Sequence, residues 1–235
     1  MSSEPLLRLE GVSKRFGGLT VLDRQSFSVS AGEIVGLVGP NGSGKTTTIN
    51  VISGVHQADA GRILFEGREI QRLKLFRIAR LGINRSFQVP KCFRAMRVRE
   101  NIEVAATFAG RGAVDIDEIL AGIGLADQAD AIAGALTVNQ QKMLDLGRAL
   151  ATNPRLLLID EIGAGLNPAE LGGIAELLKS LAAQGIALIV VEHLLDFLNR
   201  ITDRVIVLGA GRMLFEGSLK AASQDPDVVA AFIGG

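Results

Sequence analysis

The chain has no tryptophan, no tyrosine, one cysteine and two histidines in 235 residues. A single thiol, Cys92, excludes an intrachain disulfide framework and reads as a small buried hydrophobe or a free surface thiol. The missing polar aromatics, set against 28 glycines, disfavour an aromatic cage or a stacking platform for bases. They fit main-chain turns around a ligand better. Net charge is also absent. The 25 Lys and Arg balance 25 Asp and Glu, so the basic excess of a general nucleic-acid binder is not there. Long apolar runs are lacking as well. The longest covers residues 186–191, whereas a membrane-spanning helix needs about twenty apolar positions. Residues 1–5 show no basic stretch followed by an apolar one, so no export signal is expected. What is left is a globular composition, 48% apolar and 21% charged. Such a chain is expected to fold in the cytoplasm with its thiol reduced, and to reach a membrane only through a partner.

Glycine punctuates a regular alternation of elements. Residues 6–9 and 26–29 have partial period-two patterning around the turn-rich Phe16-Gly17-Gly18, which favours antiparallel pairing. Residues 33–38, apolar after Glu33, are too short for a helix and read as a strand buried on both faces. A loop over 39–44, a helix over 45–53 and a short strand over 62–65 follow. The middle of the chain is helical, with helices over 98–109, 115–123 and about 140–151. In the second of these, Ile116, Ile119, Leu120 and Ile123 share one face. Asp115 and Asp117 suit its N-terminus and Gly124 its C-terminal end. In the third, Met143, Leu146, Gly147 and Leu150 share a face. Strand and helix then alternate again: a strand over 155–159, an amphipathic helix over 169–183, and a strand over 186–191. A hairpin over 205–208 and 213–215 closes around Gly209-Ala210-Gly211. The helix stripe holds Leu171, Ile174, Ala175, Leu178, Leu181 and Ala182. The class is α/β, with a parallel sheet covered by helices, an N-terminal antiparallel β part and an inserted helical part. The expected division is an α/β core of residues 1–87 and 151–235, with residues 88–150 as the helical insertion.

Gly39, Pro40, Asn41, Gly42, Ser43, Gly44, Lys45 and Thr46 match G-x-x-x-x-G-K-[ST], with Thr47 next in line. Glycines let successive backbone N–H groups turn inward as an anion nest, and the helix that follows aims its positive end at phosphate. Lys45 supplies a point charge for the terminal phosphates. Thr46 offers a hydroxyl to Mg²⁺. Four apolar residues, 156–159, run into Asp160 and Glu161 at the end of a strand, where ligands bind in open α/β sheets. Asp160 suits Mg²⁺ and Glu161 suits a base that polarises water. His193 follows the buried run 190–191 in the same way and can donate to a γ-phosphate. His56 has no such setting and reads as structural or solvated.

Over its whole length the chain resembles an ABC-type ATPase subunit, whose core is the P-loop (RecA-like) fold. The resemblance implies that Phe16 stacks on adenine and that residues 39–46 are the Walker A loop. It maps the Q-loop glutamine, a metal contact, to Gln88. The signature falls on residues 136–140, with Thr137, Asn139 and Gln140 acting on a nucleotide held by a second subunit. Walker B is 157–160, Glu161 the base, 164–167 the D-loop and His193 the switch histidine. Residues 12–18, 164–170 and 225–229 are similar to ATP-binding subunits of branched-chain amino acid uptake systems. Related subunits for urea and for lipopolysaccharide export share much of this pattern. The resemblance thus implies ATP and Mg²⁺, a homo- or heterodimer of ATPase subunits, integral membrane permease partners at the cytoplasmic face, and no nucleic acid. Val138, Asn139 and Ile162 depart from the family, which has glycine, glycine and proline there. A side chain at 139 is expected to crowd the γ-phosphate or to obstruct the close backbone approach that glycine allows, with asparagine tolerating a positive φ if the turn needs one. Ile162 and Gly163 are expected to leave Glu161 less rigidly placed. Two alternatives stay open: a catalytically weakened partner in an asymmetric heterodimer, and a non-transport ABC ATPase.

Overall fold

The computed structural model describes residues 4–86, 89–109 and 112–233. Two sheets divide the strands. One is four-stranded and antiparallel, in the order β2-β1-β4-β5, built from β1 (Leu7–Phe16), β2 (Leu19–Val29), β4 (Ala60–Phe65) and β5 (Arg68–Glu69). The other has six strands in the order β10-β9-β3-β8-β7-β6. It contains β3 (Ile34–Val38), β6 (Ile83–Arg85), β7 (Leu156–Asp160), β8 (Ala187–Val191), β9 (Arg204–Gly209) and β10 (Arg212–Gly217). All its pairs are parallel except β9 with β10, the hairpin.

The central strands β3, β7 and β8 are buried at every position. Side chains alternate across a strand, so β7 sends Leu156 and Leu158 into one hydrophobic core and Leu157 and Ile159 into the other. The first core also holds α1 (Lys45–Ile52) and the antiparallel sheet. The second is closed by α3 (Val98–Ala109), α4 (Ile116–Gly122), α5 (Val138–Leu150), α6 (Pro168–Ala183) and α7 (Leu195–Ile201). The stripe expected on α6 packs inward, with Ile174, Ala175, Leu178 and Leu181 buried and Leu171 and Ala182 partly so.

Local chemistry sets the helix ends. Asp115 caps α4 by accepting from the amides of Asp117 and Glu118, and Gly124 beyond it has φ +69°. Asn167 caps α6 in a reciprocal box with Glu170, with Pro168 as the first helical residue. Helix α5 starts at Val138, two residues before the expected Gln140. Thr137 and Gln140 form a capping box, which places the signature residues on the first turn.

Several short elements were not expected: β5, α2 (Leu75–Leu81), β6, α7, α8 (Leu219–Ala222) and α9 (Pro226–Ile233). Strands β1 and β2 run well past the expected residues. Three register shifts between Leu9 and Arg15 break the alternation that would have marked β1.

Polar contacts join the sheets, the ion pair of Asp23 on β2 with Arg212 on β10 at 2.6 Å among them. Arg204 on β9 pairs with Glu33 at 2.7 Å and Glu216 at 2.6 Å, and also donates to the Ser28 carbonyl of β2. Buried Gln25 of β2 accepts from the Thr48 hydroxyl at 2.9 Å and donates to the Gly211 carbonyl at 3.2 Å.

Candidate nucleotide site

Strand β3 delivers the chain into the 39–44 loop, and α1 starts directly after it. Two glycines are obligatory there. A Cβ on Gly39 would lie 2.3 Å from the Leu208 carbonyl oxygen, and one on Gly44, at φ +104°, would lie 2.8 Å from Leu22. Gly44 is the N-cap of α1 and offers no side-chain acceptor, so the first-turn amides are left for an outside anion. Lys45 is buried, and its Nζ donates to the carbonyls of Gly39 (2.7 Å) and Pro40 (3.0 Å). Burial lowers the pKa of this ammonium, while the carboxylates of Glu161 and Asp160 act in the opposite direction. The Ser43 hydroxyl is buried with no hydrogen-bond partner. A loop with free helix amides, one cation and one unsatisfied hydroxyl suits a phosphate chain.

The acids arrive at the end of β7. Asp160 is buried, which raises its pKa against the pull of the Arg85 guanidinium, 3.6 Å away on β6. Glu161 leaves the strand at φ +52°, its amide donating to the Val191 carbonyl at 2.9 Å. A left-handed conformation costs a side-chain-bearing residue about 1–2 kcal/mol. His193, past the end of β8, brings Nε2 to 3.0 Å from Glu161 Oε1.

Between β8 and His193 sits Glu192, which sequence reasoning missed. It is buried, accepts from the Gly163 amide at 2.5 Å and from the His193 amide at 3.3 Å, and burial raises its pKa. Its one sequence signal was a carboxylate flanked by a buried strand and a site histidine. Glu192 also bears on the expectation that Ile162 and Gly163 leave Glu161 less rigidly placed. Gly163 is bonded to a buried carboxylate and Ile162 lies in the core at 3% exposure. Both neighbours are therefore held without a proline.

A cavity of about 170 Å³ is lined by Val21, Asn41, Gly42, Gly44, Lys45, Thr46, Thr47, Glu161 and His193. It brings together eight of the residues selected from the sequence, whereas Gly39, Pro40, Ser43 and Asp160 are not part of its lining. Phe16 is outside its lining. That ring is 43% exposed at the end of β1, edge-on to His56 with centroids 5.1 Å apart, and Lys14 Nζ lies 5.3 Å from its centre. Gln88 lies outside the described residues. Among the described residues no group of three or more His, Cys, Asp and Glu could hold a metal ion. Thr46 and Asp160 have the oxygen chemistry that Mg²⁺ takes alongside phosphate oxygens.

Thr137, Asn139 and Gln140 do not line this cavity. Asn139 and Gln140 line a separate cleft of about 430 Å³ between α4, α5 and α6. Asn139 is helical, so no positive φ is needed at this position. Its side chain donates to the Gly165 carbonyl at 3.0 Å.

The sequence pattern of the ABC transporter family matches residues 22–164, more than half of the chain. A probable branched-chain amino acid transport ATP-binding protein, LivG of Archaeoglobus fulgidus, is 35% identical, covering 97% of this chain and 95% of that protein. A crystal structure of a nucleotide-free ATP-binding cassette from an ABC transporter superimposes with a TM-score of 0.88 at 33% identity, over 99% of this chain and 100% of the other. The ATP-binding cassette MJ0796, solved as a dimer in a post-hydrolysis state with ADP and Pi, gives a TM-score of 0.82 at 26% identity, over 91% and 98%.

Proposed function

The chain belongs to the ABC transporter family of ATP-binding subunits, and from that premise we propose that it energises uptake of branched-chain or chemically related amino acids through integral membrane permeases. It is an ATPase, and residues 39–47 are read as its phosphate cradle. Lys45 neutralises the terminal phosphates, and Phe16 stacks on adenine from the end of β1. Thr46, Asp160 and Gln88 are assigned to Mg²⁺, which when bound offsets the charge on the β and γ phosphates. Glu161 accepts the proton of the attacking water, and His193 donates to the γ-phosphate. The observation that carries this reading is the cavity where the Lys45 loop, Glu161 and His193 meet.

Residues 88–150 form an inserted helical lobe on the core of 1–87 and 151–235. Thr137, Gln140 and the main chain at Asn139 on that lobe serve a nucleotide held by a second cassette, so the working unit is a homo- or heterodimer. No helix among the described residues is long and apolar enough to cross a membrane. Attachment at the cytoplasmic face is therefore assigned to the permease subunits.

The test is Glu161→Gln, which should bind ATP, accumulate an ATP-dependent dimer and lose about 10²–10⁴ in turnover. Lys45→Ala should bind ATP weakly or not hydrolyse it. Deleting the gene and measuring uptake of labelled leucine separates the amino acid assignment from a urea or lipid cargo. Leucine uptake that persists in the deletion would sink the cargo assignment alone. The weakened-partner reading rests on Asn139 at a glycine position. Dimerisation of Glu161→Gln only in the presence of a different cassette would favour it.

A further inference from the structure

Asn139 makes a contact that the family's glycine cannot. Its Nδ2 donates to the Gly165 carbonyl at 3.0 Å. Three residues on, and so on the same face of α5, Lys142 Nζ donates to the Ala164 carbonyl at 2.7 Å and comes within 3.5 Å of the Glu161 carbonyl. All three acceptors lie in one loop, which leaves β7 through Glu161 and ends at Asn167, the cap of α6. Gly165 has φ +83°, and a Cβ there would meet Asn139 Oδ1 at 3.5 Å, so the amide side chain is in van der Waals reach of the loop. The loop is pinned at its start by Glu192 on Gly163 and at its end by the α6 capping box. Helix α5 holds the middle.

We infer that Asn139 is a positioning residue that, through Gly165 and with Lys142 as a second strut, couples the signature helix of this chain to the loop bearing its own Glu161. The side chain that reads from sequence as an obstruction to a partner's phosphate is engaged within its own subunit. Movement of α5 when it meets a partner's nucleotide is then passed to the base in the same chain. The kinetic part of this inference rests on the ATPase reading above; the mechanical part does not.

Asn139→Ala in the full chain separates the two. It removes the donor and keeps a good helix former at the second helical position. Amide hydrogen exchange over 163–167 should rise about tenfold, with exchange over 39–46 unchanged. ATP hydrolysis by the dimer should lose about three- to tenfold in kcat with KM for ATP within about twofold, since only the base is displaced. Lys142→Met should shift both readouts in the same direction. A rise in kcat on Asn139→Ala would mean that the side chain had been crowding the partner's phosphate, and would overturn the inference. Unchanged exchange over 163–167 would overturn it too. If the native chain hydrolyses no ATP, the functional reading fails, and the exchange measurement still decides the coupling.

Discussion

At the scale of single residues, the site is a set of groups held where they would not rest alone. Glu161 keeps a positive φ because its amide is committed to β8 and its carboxylate to His193. Such local strain persists only where the surroundings over-determine it. Glu192 is part of those surroundings. Burial lifts its pKa above the ordinary 4.5, so the native state binds its proton more tightly than the unfolded chain. Its contribution to stability is therefore complete below about pH 4.5 and is lost as pH rises through the native value. The native chain should gain in Tm over Glu192→Gln as the solution is acidified across that window, as read by thermal melts at stepped pH. A constant difference would remove Glu192 from this role.

At the scale of elements, caps and stripes decide where helices begin and how they face. Asp115→Ala removes two accepted amide bonds at the start of α4 and should cost about 1 kcal/mol in urea unfolding. The same signals explain what was legible in the sequence. The stripe from Ile174 to Leu181 and the aspartate before Ile116 are local features, so α6 and α4 lay where the pattern put them. Helices α2 and α7 have seven residues each and no side-chain cap, so neither carries a start signal; α2 buries only Ile78, and the buried face of α7, Phe197, Leu198 and Ile201, spans little more than one turn. Strand β6 hid behind Asn84 and Arg85. It stands at the sheet edge, and Arg85 is tolerated there because Asp160 on the neighbouring strand faces it. The phosphate loop and the Asp160–Glu161 pair were legible because their chemistry is written in consecutive residues, and His193, 32 residues from Glu161, because it follows a buried strand. The contacts of Glu192 with Gly163 and of Asn139 with Gly165 join positions 29 and 26 residues apart. No window of sequence contains them.

At the scale of the whole molecule, the two sheets share one hydrophobic core, and Arg204 and Gln25 bridge them as well. Arg204→Ala strips a half-buried guanidinium from two carboxylates and a carbonyl, and should cost roughly 1–3 kcal/mol of unfolding free energy. Denaturant titration with an unchanged m value would mark this as lost stability within a single cooperative unit. A lower m value would mark the sheets as separable.

The clefts beside α6 have a consequence of another kind. One is about 430 Å³, and a second, lined by residues of α4 and α6 among others, is about 380 Å³. Each is a solvent-open cleft with room for several waters. Any motion that presses the helices of residues 98–150 onto α6 must return that water to bulk. Sucrose or other excluded solutes would then act as an osmotic lever on the cycle, favouring the compact arrangement without touching a single residue of the site.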